Sequence, residues 1–182
     1  MATIADRLIG CGAVKFGEFT LTSGATSNYY VDVKSAMTDP ETLRAIGAEM
    51  GAMAKDFEAV AGMELGAVPI ATAVSLAANI PLLMVRKGER AHGTGKRIEG
   101  PLREGMRVFV VEDVTTSGGS TVEAIKVLRA AGAVVTDASV VVDRESGGRE
   151  AMEAMQVQLH PLATASTLLD TPEAKAALGV PQ

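Results

Sequence analysis

Two rhythms of apolar positions run along the chain. Ala59-Val60-Ala61, Leu82 to Val85, Arg107 to Val111 and Ser139 to Val142 are short, almost wholly apolar runs. Such runs read as strands buried on both faces. Between them, apolar residues recur every three or four positions, as on one face of a helix. Asp39-Pro40-Glu41 has a cap, a proline for the first turn and an acid near the positive end of the dipole, so it predicts a helix running to about Lys55. Val68 to Ala78 predicts a small-residue helix. Ser120-Thr121-Val122-Glu123 has the spacing of a capping box. It would open a helix that buries Val122, Ile125, Leu128 and Ala131 and stops at Gly132, after which Val134-Val135 leads into another strand. At the amino-terminal end, Thr3 to Gly10 predicts a short helix. Phe19-Thr20-Leu21 and Tyr29 to Val33 predict two short strands flanking a Ser-Gly turn.

Buried strands separated by helices imply an α/β fold, a mostly parallel sheet with helices on both faces. Ligands then belong at the carboxyl ends of the strands. The 182 residues suit one domain, 1–182, with 47% apolar residues to build its core. With 3% aromatics and no tryptophan, aliphatic side chains and alanine must fill that core. Cys11 is the one cysteine, so no internal disulfide is possible and a reducing, cytoplasmic setting is expected. No apolar run reaches the ~18–20 residues of a membrane span. A net charge of −5 argues against general nucleic-acid binding but leaves room for a local basic site.

Such a site exists. From Arg86 to Arg97 the chain holds five Lys/Arg and His92 against one acid, Glu89. Cations among glycines suit a leaving group that gains negative charge as its bond breaks. A second block runs from Val108 to Ser120: an apolar strand, then Glu112-Asp113, then Val114-Thr115-Thr116-Ser117-Gly118-Gly119-Ser120. A small-residue loop at a helix start offers backbone amides and hydroxyls to an anion. The two acids would repel a phosphate but can accept hydrogen bonds from sugar hydroxyls. Donors for phosphate beside acceptors for hydroxyls describe a site for a ribose 5-phosphate. Gly93-Thr94-Gly95-Lys96 is not a nucleotide P-loop, because Arg90 and Arg97 occupy the positions of its first Gly and its Ser/Thr. Nor does any pair of glycines complete a dinucleotide fingerprint. No cluster has metal-ligand spacing, so no protein metal ligands are assigned.

The Val108–Ser120 block resembles the phosphoribosyl-diphosphate (PRPP) motif of the type I phosphoribosyltransferases. Arg86 to Gly100 is similar to the catalytic loop of the orotate phosphoribosyltransferases, as are Phe16 to Gly24 and Ser27 to Tyr30 to their opening segment. The resemblance spans roughly residues 5 to 160 and is to the compact archaeal-type members. It implies the type I phosphoribosyltransferase fold, with a small amino-terminal hood over 1–35 and a PRPP-binding core over 36–165. It implies transfer of the 5-phosphoribosyl group from PRPP to orotate, giving orotidine 5′-monophosphate and diphosphate in pyrimidine synthesis. It implies Arg86, Lys87, Arg90 and His92 as diphosphate contacts, with Lys87, Arg90, His92 and Asp113 closest to catalysis. Glu112 and Asp113 would hold the ribose, Val114 to Ser120 the 5′-phosphate, and Thr116 and Arg144 the orotate. Ala61 to Gly66 resembles the diphosphate-binding loop, without the lysine that bacterial relatives often carry there. Mg²⁺ bound mainly through PRPP is implied too. So is a homodimer whose loop 86–100 reaches the neighbouring site, with no nucleic acid and no membrane partner.

Position 90 departs from the family, which usually has lysine there. Tyr29 and Tyr30 could wall the base site or pack within a strand. A phosphoribosyltransferase for another nucleobase and a PRPP-sensing regulator are the alternatives. The regulator would need a DNA-binding appendage, and only 15 residues precede Phe16. In the role the resemblance implies, Arg90 acts as charge develops on the leaving group, so Arg90→Ala should lower kcat far more than it weakens PRPP binding. Steady-state kinetics beside calorimetric PRPP binding will check this, and equal losses in both would remove the role.

Overall fold

The computed structural model describes residues 2–20, 26–88 and 97–179. Helix α1 (Ile4–Gly10) is opened by a capping box in which Thr3 and Asp6 exchange hydrogen bonds. Strands β1 (Val14–Thr20) and β2 (Thr26–Val31) pair antiparallel, Val14 opposite Val31, as a separate two-stranded ribbon. The short α2 (Val33–Ala36) follows, then α3 (Pro40–Met53), capped at Asp39 by the Thr42 N–H at 2.8 Å.

The main sheet has six strands in the order β5-β4-β3-β6-β7-β8. These are β3 (Ala59–Met63), β4 (Leu82–Val85), β5 (Ile98–Glu99), β6 (Val108–Thr115), β7 (Asp137–Asp143) and β8 (Gln158–Thr164). All neighbours are parallel except β5, which returns antiparallel beside β4. Helices α4 (Ala67–Ala78), α5 (Gly119–Ala130) and α6 (Gly148–Ala154) connect the parallel strands, and α7 (Ala165–Leu169) and α8 (Pro172–Leu178) close the described chain. The chain leaves β3 to one side for β4 and returns to its other side for β6, so the strand order reverses at the β3–β6 boundary. A crevice outside the carboxyl ends of two such strands is where a ligand is accommodated.

Successive residues of a strand face opposite sides, and β6 shows it. Phe109 and Val111 enter a core with Ile4, Leu8, Ile46, Met50, Ile70 and Val74. Val108 and Val110 enter a second core with Ile125, Leu128, Met152 and Leu83. The sheet is therefore covered on both faces, as the unbroken apolar runs require.

One expectation is corrected. Ser120 does not cap α5. The cap is Gly118, in the left-handed region at φ +80, and no side chain bonds the helix start. The glycine takes the turn, so Ser120 falls inside the first helical turn. Glu123, free of the capping box, accepts a hydrogen bond from Arg97 at 2.6 Å. The sequence reading also missed the short β5 and the full length of β1, which begins at Val14.

Helices α3 and α4 approach closely because glycine and alanine face each other. A Cβ on Gly47 would stand 2.7 Å from the Ala73 Cβ and 3.0 Å from the Ala73 carbonyl. Backbone cannot yield as a flexible side chain can. Gly47→Ala should therefore cost about 1–3 kcal/mol by overpacking, outweighing the ~1 kcal/mol gain in helix propensity. Gly10→Ala, with nothing within 4 Å, should be neutral or slightly stabilising. Denaturant unfolding of both variants will check the contrast, and a stabilised Gly47→Ala would remove the packing account.

Candidate active site

Four parallel strands deliver chemistry to one edge of the sheet. Beyond β3, Met63 to Gly66 turns into α4. Beyond β4 come Arg86 and Lys87. The end of β6 carries Glu112 and Asp113, and the chain then turns through Thr115 to Gly118 into α5. Beyond β7 comes Arg144. The register pairs Met63 with Val85 and Gly62 with Val111, which sets Glu64, Arg86 and Asp113 at one level across three strands.

Three hollows meet there. One of about 220 Å³ is lined by residues 114–121, the turn and first residues of α5. One of about 130 Å³ brings Glu64, Gly66, Lys87, Glu112 and Asp113 together with Lys34 of α2 and Ser120. One of about 250 Å³ lies between residues 30–34 and the group Asp113, Val114, Thr116 and Arg144. Ser120 borders the first two, Asp113 and Lys34 the second and third, and Thr116 the first and third. The three are thus one branched site centred on the end of β6. A larger hollow of about 630 Å³ lies beside Ile98, Leu102 and Val127. It holds no pair of acids and no amide-lined turn, so size alone would mislead.

The β3 and β6 ends touch tightly. A Cβ at Gly66 would overlap the Asp113 carboxylate, so a larger residue there would displace that carboxylate. Glu64 accepts the Lys87 N–H at 2.9 Å and lies 3.8 Å from the Arg86 guanidinium, which is also 3.6 Å from Glu99. Asp113 accepts the Val114 N–H at 2.7 Å, and Glu112 accepts the Asp113 N–H at 3.0 Å. Glu112 is 6% exposed. Burial, and then the neighbouring Asp113 carboxylate, push its carboxyl up to about 8.

Arg144 sits over Tyr29, its guanidinium 5.3 Å from the ring centroid and its Nε–H donating to the phenol oxygen at 3.4 Å. This is cation–π geometry. The neighbouring acids are engaged elsewhere. Asp143 accepts the Glu145 N–H at 2.9 Å, and Glu145 accepts from Ser166 at 2.6 and 2.7 Å. Among the described residues Arg144 has no ion-pair partner. Tyr29 is buried beneath the arginine, whereas Tyr30 is 44% exposed at the rim of the third hollow.

The structure brings together Arg86, Lys87, Glu112, Asp113, the 114–120 turn and Arg144 at one edge. Arg90 and His92 lie outside the described residues, as do Gly93 to Lys96. His160 is elsewhere, 2.8 Å from Asp137. The sequence placed Glu64 in the Ala61–Gly66 loop but not its contacts with Arg86 and Lys87, and it did not show the Arg97–Glu123 pair or the place of Lys34. Lys34 is a lone cation on a four-residue helix and carries no motif.

A buried glutamate and a half-buried aspartate beside an amide-lined turn, at a strand-order reversal, are the features of a phosphosugar-binding α/β protein. The family described as "Phosphoribosyl transferase domain" matches residues 48–169. The chain is 50% identical over 171 residues to the orotate phosphoribosyltransferase of Pyrococcus abyssi, covering 92% of this chain and 94% of that one. It is likewise 50% identical to the enzyme of Methanocaldococcus jannaschii, over 88% and 92% of the two chains. The crystal structure of the Aeropyrum pernix orotate phosphoribosyltransferase superposes with a TM-score of 0.82 at 35% identity, covering 99% of this chain and all of that one. The Mycobacterium tuberculosis enzyme in complex with PRPP gives 0.75 at 32%, over 91% and 96%. The chain is a phosphoribosyltransferase of the type I fold. Within that class it belongs to the orotate phosphoribosyltransferase family.

The raised Glu112 carboxyl has a sign that can be tested. Between about pH 4.5 and 8 the folded state holds a proton that the unfolded state has released. The resulting stability is present below 4.5 and is lost as pH rises through about 8. Glu112→Gln keeps the shape without the ionisation. In the ligand-free protein the variant should gain stability relative to the parent as pH rises from 6 to about 9. Urea unfolding at stepped pH will show it. A constant difference across that range would mean Glu112 ionises freely.

Proposed function

We propose that this site transfers the 5-phosphoribosyl group of PRPP to orotate, forming orotidine 5′-monophosphate and diphosphate. The observation that carries it is the branched site itself. Its amide-lined arm, acid-and-cation arm and arginine arm match the 5′-phosphate, the ribose with its diphosphate, and a base bearing a carboxylate.

The 115–119 turn receives the 5′-phosphate on backbone N–H groups, aided by the positive end of α5. Ser120, released from capping, offers its hydroxyl to the same arm. Glu112 and Asp113 accept from the ribose hydroxyls. Arg86 and Lys87 face the diphosphate, a role that the family resemblance also gives to Arg90 and His92. Arg144 and Thr116 hold orotate, the guanidinium fork matching its carboxylate. In the reaction the bond from the anomeric carbon to a diphosphate oxygen breaks and diphosphate leaves with the electron pair. A carbon–nitrogen bond to orotate forms as that ring nitrogen gives up its proton to the departing diphosphate or to water, and no covalent enzyme intermediate is needed. Positive charge develops on the ribose beside Asp113 while negative charge develops beside the cations of β4. Opposite preorganised charges on the two sides favour the transition state over the ground state.

Mg²⁺ fits this donor set as a companion of PRPP. Among the described residues no group of three or more ligand side chains could hold a metal alone. Asp113 would complete a shell supplied mainly by substrate oxygens, and the ion would neutralise the departing diphosphate. A cytoplasmic homodimer with loop 86–100 reaching the neighbour completes the reading. It is supported by the solitary Cys11 and by an apolar groove of about 440 Å³ along α3 and α4 at Leu43, Ala73 and Leu76. Among the described residues no helix is long and apolar enough to cross a membrane.

The test is an absorbance assay for loss of orotate with PRPP and Mg²⁺, with uracil, hypoxanthine and adenine in parallel. Orotate alone should turn over. Arg144→Ala should raise the KM for orotate about 10- to 100-fold, as expected for a lost charge-assisted hydrogen bond, and leave PRPP binding within about twofold. Turnover of another base would overturn the orotate assignment. PRPP binding without turnover would favour the regulator.

A further inference from the structure

Arg97 belongs to no arm of the site, yet it holds one. The Arg86 N–H donates to the Arg97 carbonyl at 2.8 Å, and the Arg97 guanidinium donates to the Arg86 carbonyl at 2.9 Å. Both backbone groups of Arg86 are thus bound by one residue. The same guanidinium nitrogen donates to Glu123 at 2.6 Å. Glu123 lies on the second turn of α5, the helix whose first turn carries the phosphate arm. On the opposite side Glu64 accepts the Lys87 N–H.

We infer that Arg97, anchored by Glu123, is a positioning residue that fixes the backbone of Arg86 and Lys87 against α5. The brace spans the distance between the diphosphate arm and the 5′-phosphate arm. One PRPP must occupy both arms at once, so their separation decides how well it fits. The inference rests on the reading of these arms given above. An ion pair kept only for stability would need burial, but Glu123 is 43% and Arg97 26% exposed, and pairs in such surroundings stabilise little. Here the pair joins two functional segments 26 residues apart in the chain. A small misplacement of catalytic groups has a large kinetic cost.

The experiment compares Glu123→Ala, Glu123→Gln, Arg97→Ala and the double alanine variant in the full-length protein. PRPP binding is read by calorimetry, and KM for each substrate and kcat by the orotate assay. Glu123→Ala should weaken PRPP binding and raise its KM about five- to tenfold, with kcat lowered and the orotate KM within about twofold. Its thermal midpoint should stay within about 2 °C. Glu123→Gln keeps an acceptor oxygen and should restore PRPP binding to within about threefold. The double variant should be no worse than Arg97→Ala, since both lose one brace. The exposed Glu123 leaves the test valid even where Arg97→Ala does not fold. Unchanged PRPP binding in Glu123→Ala would overturn the proposal. So would a parallel rise in both KM values with a fallen midpoint, the mark of a merely structural role. If the parent protein does not bind PRPP, the functional reading fails and takes the brace with it. Parent binding with indifferent variants removes the brace alone.

Discussion

Strand β6 is where the fold and the site constrain each other. Its first residues divide between two cores, Phe109 and Val111 to one and Val108 and Val110 to the other. The strand cannot slip by one residue without exchanging those faces. Fixing the register also fixes the next residue, Glu112, in a place that is 6% exposed. A carboxyl there is expensive to ionise. The fold tolerates it because a protonated carboxyl escapes most of that cost, and because its oxygen accepts the Asp113 N–H. The apolar register thus delivers two acids to one point, with Gly66 pressed against the second.

Charge in the site is arranged outward from that point. The acids lie at the centre, on the rigid end of a buried strand. Lys34, Arg86, Lys87 and Arg144 surround them on segments that begin where strands end. A polyanionic substrate would be repelled by the acids alone and left unspecified by the cations alone. The two together favour a ligand with hydroxyls at the centre and anionic groups at its ends. Glu112 held neutral near pH 7 reduces the repulsion without losing the acceptor.

Much of this was legible in the residues, for identifiable reasons. The buried strands stood out because parallel strands covered on both faces need continuous apolar runs, and Ala59 to Ala61 and Arg107 to Val111 are such runs. The acids and the following turn stood out because their chemistry is written contiguously from Glu112 to Ser120. What was not legible is what the fold brings together from afar. The Glu64–Lys87 and Arg97–Glu123 contacts join residues 23 and 26 apart, and neither pair has a period or a motif. The cap of α5 was misplaced for a local reason. Ser120 and Glu123 have the right spacing, but a glycine two residues earlier adopts φ +80 and closes the turn first.

That misplacement bears on how the site works. A serine used as a cap spends its oxygen on a backbone N–H. With Gly118 at the cap, the first N–H groups of α5 and the Ser120 hydroxyl are left without side-chain partners at the helix start. Orphan donors at a helix start ordinarily destabilise it. Here they line a hollow at the positive end of a twelve-residue helix. An anion bound as proposed would replace water on these donors, so its binding and the capping of the helix would be the same interaction. The base arm follows the same logic. Arg144 rests on Tyr29 and lacks an ion pair among the described residues, while Asp143 and Glu145 take other donors. On the proposed reading, a carboxylate-bearing base would therefore meet an arginine already oriented and still unneutralised.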